Sequence, residues 1–442
     1  MNKFTIAVVV AVAVLQSQDL TYPVARRAPV ADDYFGTSVD DPYRWMEDLN
    51  SSEVAQWVKA ENDVTFRYLA SLSERDWFAH RITELWNYTR VTAPRFEGGR
   101  WFYRRNTGLE RQSPIYFRTT LEGPDTLVLD PNALSPDGSV ALAEFQPSPD
   151  GRHFIYGMSE GGSDWSTLYV RQLPSGQQLS DTIRWVKFST SSWTKDGKGF
   201  FYGRYPEPPP GRVLEAALRD KKIYYHVLGT PQAADRLIYE RPEEPLLFID
   251  AEVEESGRYL FVTTNKGTSN SNELFVKDLG DPLAPSLEGP PVTLYPGHTA
   301  EYTALGVVNG TLYLQTDREA PNRKIVAVPI EKPAISNWKT VVSEGQQAVD
   351  SAQLTAGRLA VLVMVDAASE VRIYGLDGTR VATVETPGLG SVTSVAGRFD
   401  RREAFYTFTS PLYPPTVFRV DVESGRSAAF EPPRLTFDAA LF

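Results

Sequence analysis

From about residue 88 onward the chain repeats one local pattern: a short run of alternating apolar and polar residues, then a tight-turn dipeptide. Alternation with period two puts every second side chain on one face, as a half-buried strand requires. Such runs occur near His153–Met158, Thr167–Gln172, Phe200–Arg204, Lys222–Val227, Tyr259–Thr264 and Leu359–Val365. The turns are of one kind: Ser135-Pro-Asp-Gly, Ser148-Pro-Asp-Gly, Lys195-Asp-Gly, Asn309-Gly and Asp377-Gly. Asp-Gly and Asn-Gly join antiparallel strands because glycine accepts the positive φ that a tight hairpin turn needs. Taken in fours, the strands divide residues 88–435 into about seven units of roughly 50 residues, the period of a β-propeller blade. A large sandwich or a pair of barrels is the alternative. The regular recurrence of the turns over so long a stretch favours the propeller.

Residues 18–87 read differently. Val54, Trp57, Val58, Val64, Tyr68 and Leu69 recur at spacings that predict an amphipathic helix over residues 51–71. Trp77, Phe78, Ile82, Leu85 and Trp86 mark a second helix. Four of the nine tryptophans (Trp45, Trp57, Trp77 and Trp86) fall in this short segment. Two helices cannot bury that much aromatic surface against each other, so the segment calls for a partner body.

Composition then excludes whole classes of function. Lys plus Arg number 45 and Asp plus Glu 56, a net charge of −11, which opposes binding to nucleic acid or an anionic membrane. With no cysteine there is no disulfide, thiolate metal site or cysteine nucleophile. The four histidines, His80, His153, His226 and His298, form no pair at metal-ligand spacing, and no glycine-rich phosphate loop occurs. Neither a cofactor nor a metal is expected. His226, in an alternating strand, reads as structural. Gly157-Met-Ser-Glu-Gly161 matches the Gly-x-Ser-x-Gly nucleophile elbow, but that motif needs a strand turning into a helix. Here a second strand follows, so Ser159 reads as part of a hairpin. At the N-terminus a lysine precedes the apolar run Phe4–Leu15 and an Ala11-Val-Ala13 site, the layout of a secretory signal peptide over residues 1–17. The expectation is export to the periplasm or exterior, with no membrane attachment after its removal.

Several runs resemble one known family. They include Asp40-Asp-Pro-Tyr-Arg-Trp-Met-Glu-Asp48, Gly161-Gly-Ser-Asp-Trp165 and Trp185-Val-Lys-Phe188. Trp193-Thr-Lys-Asp-Gly-Lys-Gly-Phe-Phe-Tyr202 and Tyr224-Tyr-His-Val-Leu-Gly229 follow in order. Together they resemble the prolyl oligopeptidase family of serine peptidases. The resemblance implies a mainly β chain: a seven-bladed β-propeller over 88–435, preceded by an α-helical segment at 18–87. That segment resembles the first piece of an α/β-hydrolase domain. Residues 436–442 would be a truncated linker toward the catalytic portion. The family's catalytic Ser, Asp and His would lie beyond Phe442, so no catalytic residue is assigned and the chain alone is expected to be inactive. By the same resemblance Phe188 would contact substrate, a short peptide cleaved after proline. Asp164, Trp45, Trp57 and Trp77 would lie at the interface with the peptidase domain. Two other readings stay open: a free-standing propeller acting as a binding module, and one half of a split peptidase completed by a separate hydrolase chain.

Overall fold

A computed structural model describes residues 20–210, 213 and 217–435. The expected signal segment 1–17 and the segment 436–442 lie outside the described residues. The chain divides into two compact units, Met1–Leu85 and Trp86–Phe442.

In the first unit a hairpin pairs Ala31–Tyr34 with Thr37–Asp40, and a short 3-10 turn spans Arg44–Glu47. Two helices follow, α1 (Ser52–Ser71) and α2 (Arg75–Trp86). Ser51 caps α1: its hydroxyl accepts from the Glu53 backbone N–H at 3.2 Å, satisfying one of the unpaired donors of the first turn. The expected apolar stripes are present but hardly buried. Val54 is the one buried residue of α1, and α2 has none.

The second unit contains seven antiparallel sheets, each made of consecutive strands. The blades cover residues 90–129, 140–186, 192–239, 247–300, 302–342, 349–383 and 391–430. In the first blade the innermost strand is broken into Arg90–Val91 and Arg95–Glu97, both paired with Arg100–Asn106. The core lies between blades rather than within one. Ile155, Leu168 and Ile183 of the second blade pack with Trp193, Phe200 and Tyr202 of the third, and the same arrangement recurs around the ring. This makes the propeller a mainly β fold whose stability comes from side chains meshing across neighbouring sheets.

The ring closes without strand exchange, since the first and seventh blades each use only their own strands. The apolar cluster at that seam is the smallest of the seven: Trp101, Leu121, Phe405 and Val417. The predicted Asp-Gly turns also prove to be contact points. A side chain at Gly98 would place its Cβ 2.1 Å from the Gly151 Cα, so two blades meet there backbone to backbone. Gly151 has φ +70°, the conformation its Ser148-Pro-Asp-Gly turn requires.

Candidate functional site at the propeller channel

The first strand of each blade faces the centre of the ring, where a cavity of about 1250 Å³ is lined by residues from all seven blades. Because each first strand runs from one end of this channel to the other, the two mouths are built from different loops. One mouth carries the connections between blades and the hairpins joining second and third strands. The other carries the turns joining first and second strands.

Phe188 and Asp164 lie at the first mouth. Phe188 sits just before the innermost strand of the third blade, half exposed (50%), with its ring edge-on to Phe248 at 6.2 Å. It holds φ +48°, and Trp185 three residues earlier holds φ +65°. Non-glycine residues rarely adopt this left-handed region, so two in one connector mark a segment held by its surroundings. Asp164, in the hairpin between Glu160 and Ser166, pairs with Lys187 at 3.3 Å. The Lys187 ammonium also lies 5.3 Å from the Trp165 ring centre and 5.1 Å from that of Phe188. The structure thus brings Phe188 and Asp164 together through Lys187, the residue that precedes Phe188 in the same motif.

The three tryptophans expected at an interface do not form one group. Trp45 and Trp57 meet edge to face, with centroids 6.3 Å apart, and are partly covered. Trp77 is 63% exposed, with Phe78, Ile82 and Trp86 exposed beside it on α2. Spacing within a helix could not reveal that the Arg44–Glu47 turn folds Trp45 onto Trp57.

Ser159 is a strand residue inside His153–Glu160, paired with Ser166, and its hydroxyl donates to the Ser163 carbonyl. No helix follows, so the elbow match is a hairpin. Among the described residues, no group of three His, Cys, Asp or Glu side chains is placed to hold a metal ion.

Sequence reading missed the polar groups of the channel wall. On the innermost strand of the second blade, Glu144 accepts from the Ser191 backbone N–H at 2.6 Å and from its hydroxyl at 3.2 Å. Burial pushes its carboxyl up to about 7, against these bonds and the nearby Arg95. The folded value thus exceeds the ordinary 4.5, and the folded state holds a proton that the unfolded chain has released. The contribution of Glu144 is therefore greatest below pH 4.5 and falls as pH rises through about 7. Glu144→Gln, which keeps an acceptor for Ser191, is expected to be more stable than the parent by about 3 kcal/mol at pH 8 and equal to it at low pH. Urea unfolding at the two pH values checks this; equal stability at pH 8 would refute it.

At the second mouth the Glu255 carboxylate, from the fourth blade, accepts backbone N–H bonds from Phe399 (3.0 Å) and Asp400 (3.3 Å), from the seventh. These blades face each other across the ring, so the bonds bridge the channel. Arg398 joins the bridge to the seam: it pairs with Glu97 of the first blade at 3.1 Å, with Glu255 at 3.4 Å and with Asp400 at 2.9 Å.

Comparison with known proteins agrees with this architecture. Residues 22–433 match the family model described as the prolyl oligopeptidase N-terminal beta-propeller domain. The prolyl endopeptidase of Elizabethkingia meningoseptica is 34% identical over 99% of this chain and 61% of its own length. Prolyl oligopeptidase A of Amanita bisporigera is 33% identical over 91% of this chain and 56% of its own. A solved chain from a study of two prolyl endopeptidases superposes with TM-score 0.86 at 32% identity, over 95% of this chain and 61% of that one. Prolyl oligopeptidase B of Galerina marginata, solved with a 35-residue hydrolysis and macrocyclization substrate, gives 0.83 at 26%, over 95% of this chain and 62% of that one. The chain therefore spans less than two thirds of the relatives it matches, and the part it matches is the one built around the channel: it belongs to the prolyl oligopeptidase family, through that family's N-terminal β-propeller.

Proposed function

We propose that this chain is the substrate-gating part of a prolyl-oligopeptidase-type serine endopeptidase acting on short peptides after proline, and that it has no peptidase activity alone. The observation that carries this reading is the channel mouth, where Phe188 stands half exposed on a connector with two left-handed residues. An aromatic side chain fixed in this way offers a proline ring or an apolar side chain a preformed surface at little entropic cost. Asp164 belongs to the same mouth and, by resemblance, would meet the peptidase domain there. The one Gly-x-Ser-x-Gly match lies in a hairpin, so the nucleophile would come from residues outside this chain. The apolar run near the N-terminus supports export of the chain.

A second reading, one half of a split peptidase completed by a separate hydrolase chain, is favoured by α2, which exposes Trp77, Phe78, Ile82 and Trp86 together.

The purified chain should release no fluorophore from a peptide substrate with proline before the scissile bond; turnover that copurifies with the chain would overturn the inactive reading. It should bind an uncleaved proline-containing octapeptide weakly. Phe188→Ala should weaken that binding about five- to tenfold in titration calorimetry, as loss of an aromatic anchor does. Unchanged affinity would remove Phe188 from the site.

A further inference from the structure

Lys221 is one of the buried cations among the described residues. Its side chain is 0% exposed. Its ammonium donates to the main-chain carbonyl of Phe188 and to Asp250 at 2.9 Å. Burying a cation is costly unless it is paired, and here the partner carboxylate is itself half exposed to the channel. As a stabilising pair this arrangement is poor. As an anchor it is specific, because among the described residues the one main-chain group the ammonium grips is the carbonyl of the residue with φ +48°.

The surroundings fit an anchor. Gly203 lies beneath the Lys221 stem, and a Cβ there would come within 2.8 Å of both Lys221 Cε and Ser189 Oγ. That space lets the lysine reach the connector. The Gly203 backbone N–H donates to Ser189 Oγ at 2.8 Å, tying down the residue after Phe188. On the fourth blade, Phe248 and Asp250 are two residues apart on one strand and so share a face. Phe248 meets the Phe188 ring, and Asp250 meets the Lys221 ammonium. The carbonyl and the ring of Phe188 are thus held from two blades at once.

We propose that Lys221 is a positioning residue: by gripping the Phe188 carbonyl it holds that side chain in the channel mouth, ready to meet a peptide. The proposal rests on the reading of Phe188 as a peptide contact, and its test separates the two.

Lys221→Met keeps the length and removes the charge, leaving no buried ion behind, because Asp250 can turn to water. In the full chain, the melting temperature should stay unchanged. Hydrogen exchange of the segment 186–191 should rise about tenfold, as expected when a charge-assisted bond to that segment is lost. Affinity for the octapeptide should fall about as far as in Phe188→Ala, and the double variant should bind no more weakly than Phe188→Ala alone, the non-additivity of one functional unit. If Phe188→Ala weakens binding while Lys221→Met does not, Phe188 keeps its role and the positioning role fails. If Phe188→Ala has no effect on binding, the peptide-contact reading fails, and unchanged exchange in Lys221→Met would overturn the anchor as well. A Lys221→Met chain that melts far lower or does not fold would assign Lys221 to stability and overturn the proposal.

Discussion

Replacing His226 with alanine is expected to cost the propeller about 3–5 kcal/mol, the price of leaving two buried carboxylates without their cation. His226 is 0% exposed in the third strand of the third blade. Its Nδ1 lies 2.7 Å from Asp235 and its Nε2 2.9 Å from Asp181, the latter on the outermost strand of the second blade. Tyr202 donates to the second oxygen of Asp235 at 2.5 Å, and the Gly229 backbone N–H donates to Asp181 at 2.7 Å. The imidazolium therefore stitches two blades together inside the ring wall. Burial alone would push its pKa down; the two carboxylates overcome that and raise it to about 9, from an ordinary 6.5. The sign follows: this contribution is fully present below about pH 6.5 and is lost as pH rises through about 9. The carboxyl of Asp181 is depressed, because its bonds to His226 and Gly229 outweigh the burial that would raise it, so its share is lost only under acid conditions. That rise corresponds to roughly 3 kcal/mol. Urea unfolding of parent and His226→Ala at pH 6 and pH 10 checks this. The gap between them should narrow markedly at the higher pH, and a gap that is small at pH 6 or constant across the range would refute the charged clamp.

The clamp and the channel differ in how far sequence reveals them. Period-two runs and Asp-Gly turns mark most of the strands, because the second and third strands of six of the seven blades keep unbroken register, as in Gly199–Arg204 against Lys222–Val227. His226 in such a run reads correctly as a wall residue, although nothing near it in sequence points to Asp181. The channel lining is another matter. The innermost strands of the second, fifth, sixth and seventh blades each carry a register shift, at Leu142/Glu144, Ala304/Gly306, Val349/Ser351 and Val392/Ser394. An inserted residue reverses which side chains face inward, so alternation loses its phase where the channel is built. Glu144 is hidden for that reason. Lys221 is hidden for another: it precedes its strand, and its partner Phe188 is 33 residues earlier. Phe188 and Asp164 were reachable only because their motifs resemble those of a family.

Arg398→Ala is the second substitution with a large expected effect, because this guanidinium serves two structures. With no shared strand to close the ring, the seam between the first and seventh blades relies on the small cluster around Trp101 and Phe405 and on side-chain pairs. Arg398 supplies one such pair with Glu97, 301 residues away in sequence, while its other contacts reach Glu255 and Asp400 at the far mouth of the channel. Both Glu97 and Glu255 are largely covered, so removing the arginine takes a cation from each and leaves Glu97 with Arg95 at 3.6 Å and Glu255 with the Phe399 and Asp400 amides. Burial already pushes the Glu255 carboxyl up, with the Phe399 amide and then Arg398 among the groups opposing it. The expected loss is about 3 kcal/mol, or about 4 °C in melting temperature for a domain of this size. The loss should be greatest above pH 7 and shrink as pH falls, because the Glu255 carboxyl, already pushed up by burial, then takes up a proton. Arg398→Lys should recover only part of it, since one ammonium cannot replace a planar fork spread over three carboxylates. Hydrogen exchange locates the effect: it should rise in Arg95–Glu97 and Ala404–Ser410 on either side of the seam, and in the Glu255 turn across the channel, while the third blade stays protected. An unchanged melting temperature with faster exchange confined to residues 398–403 would show that the seam and the channel mouth are independent.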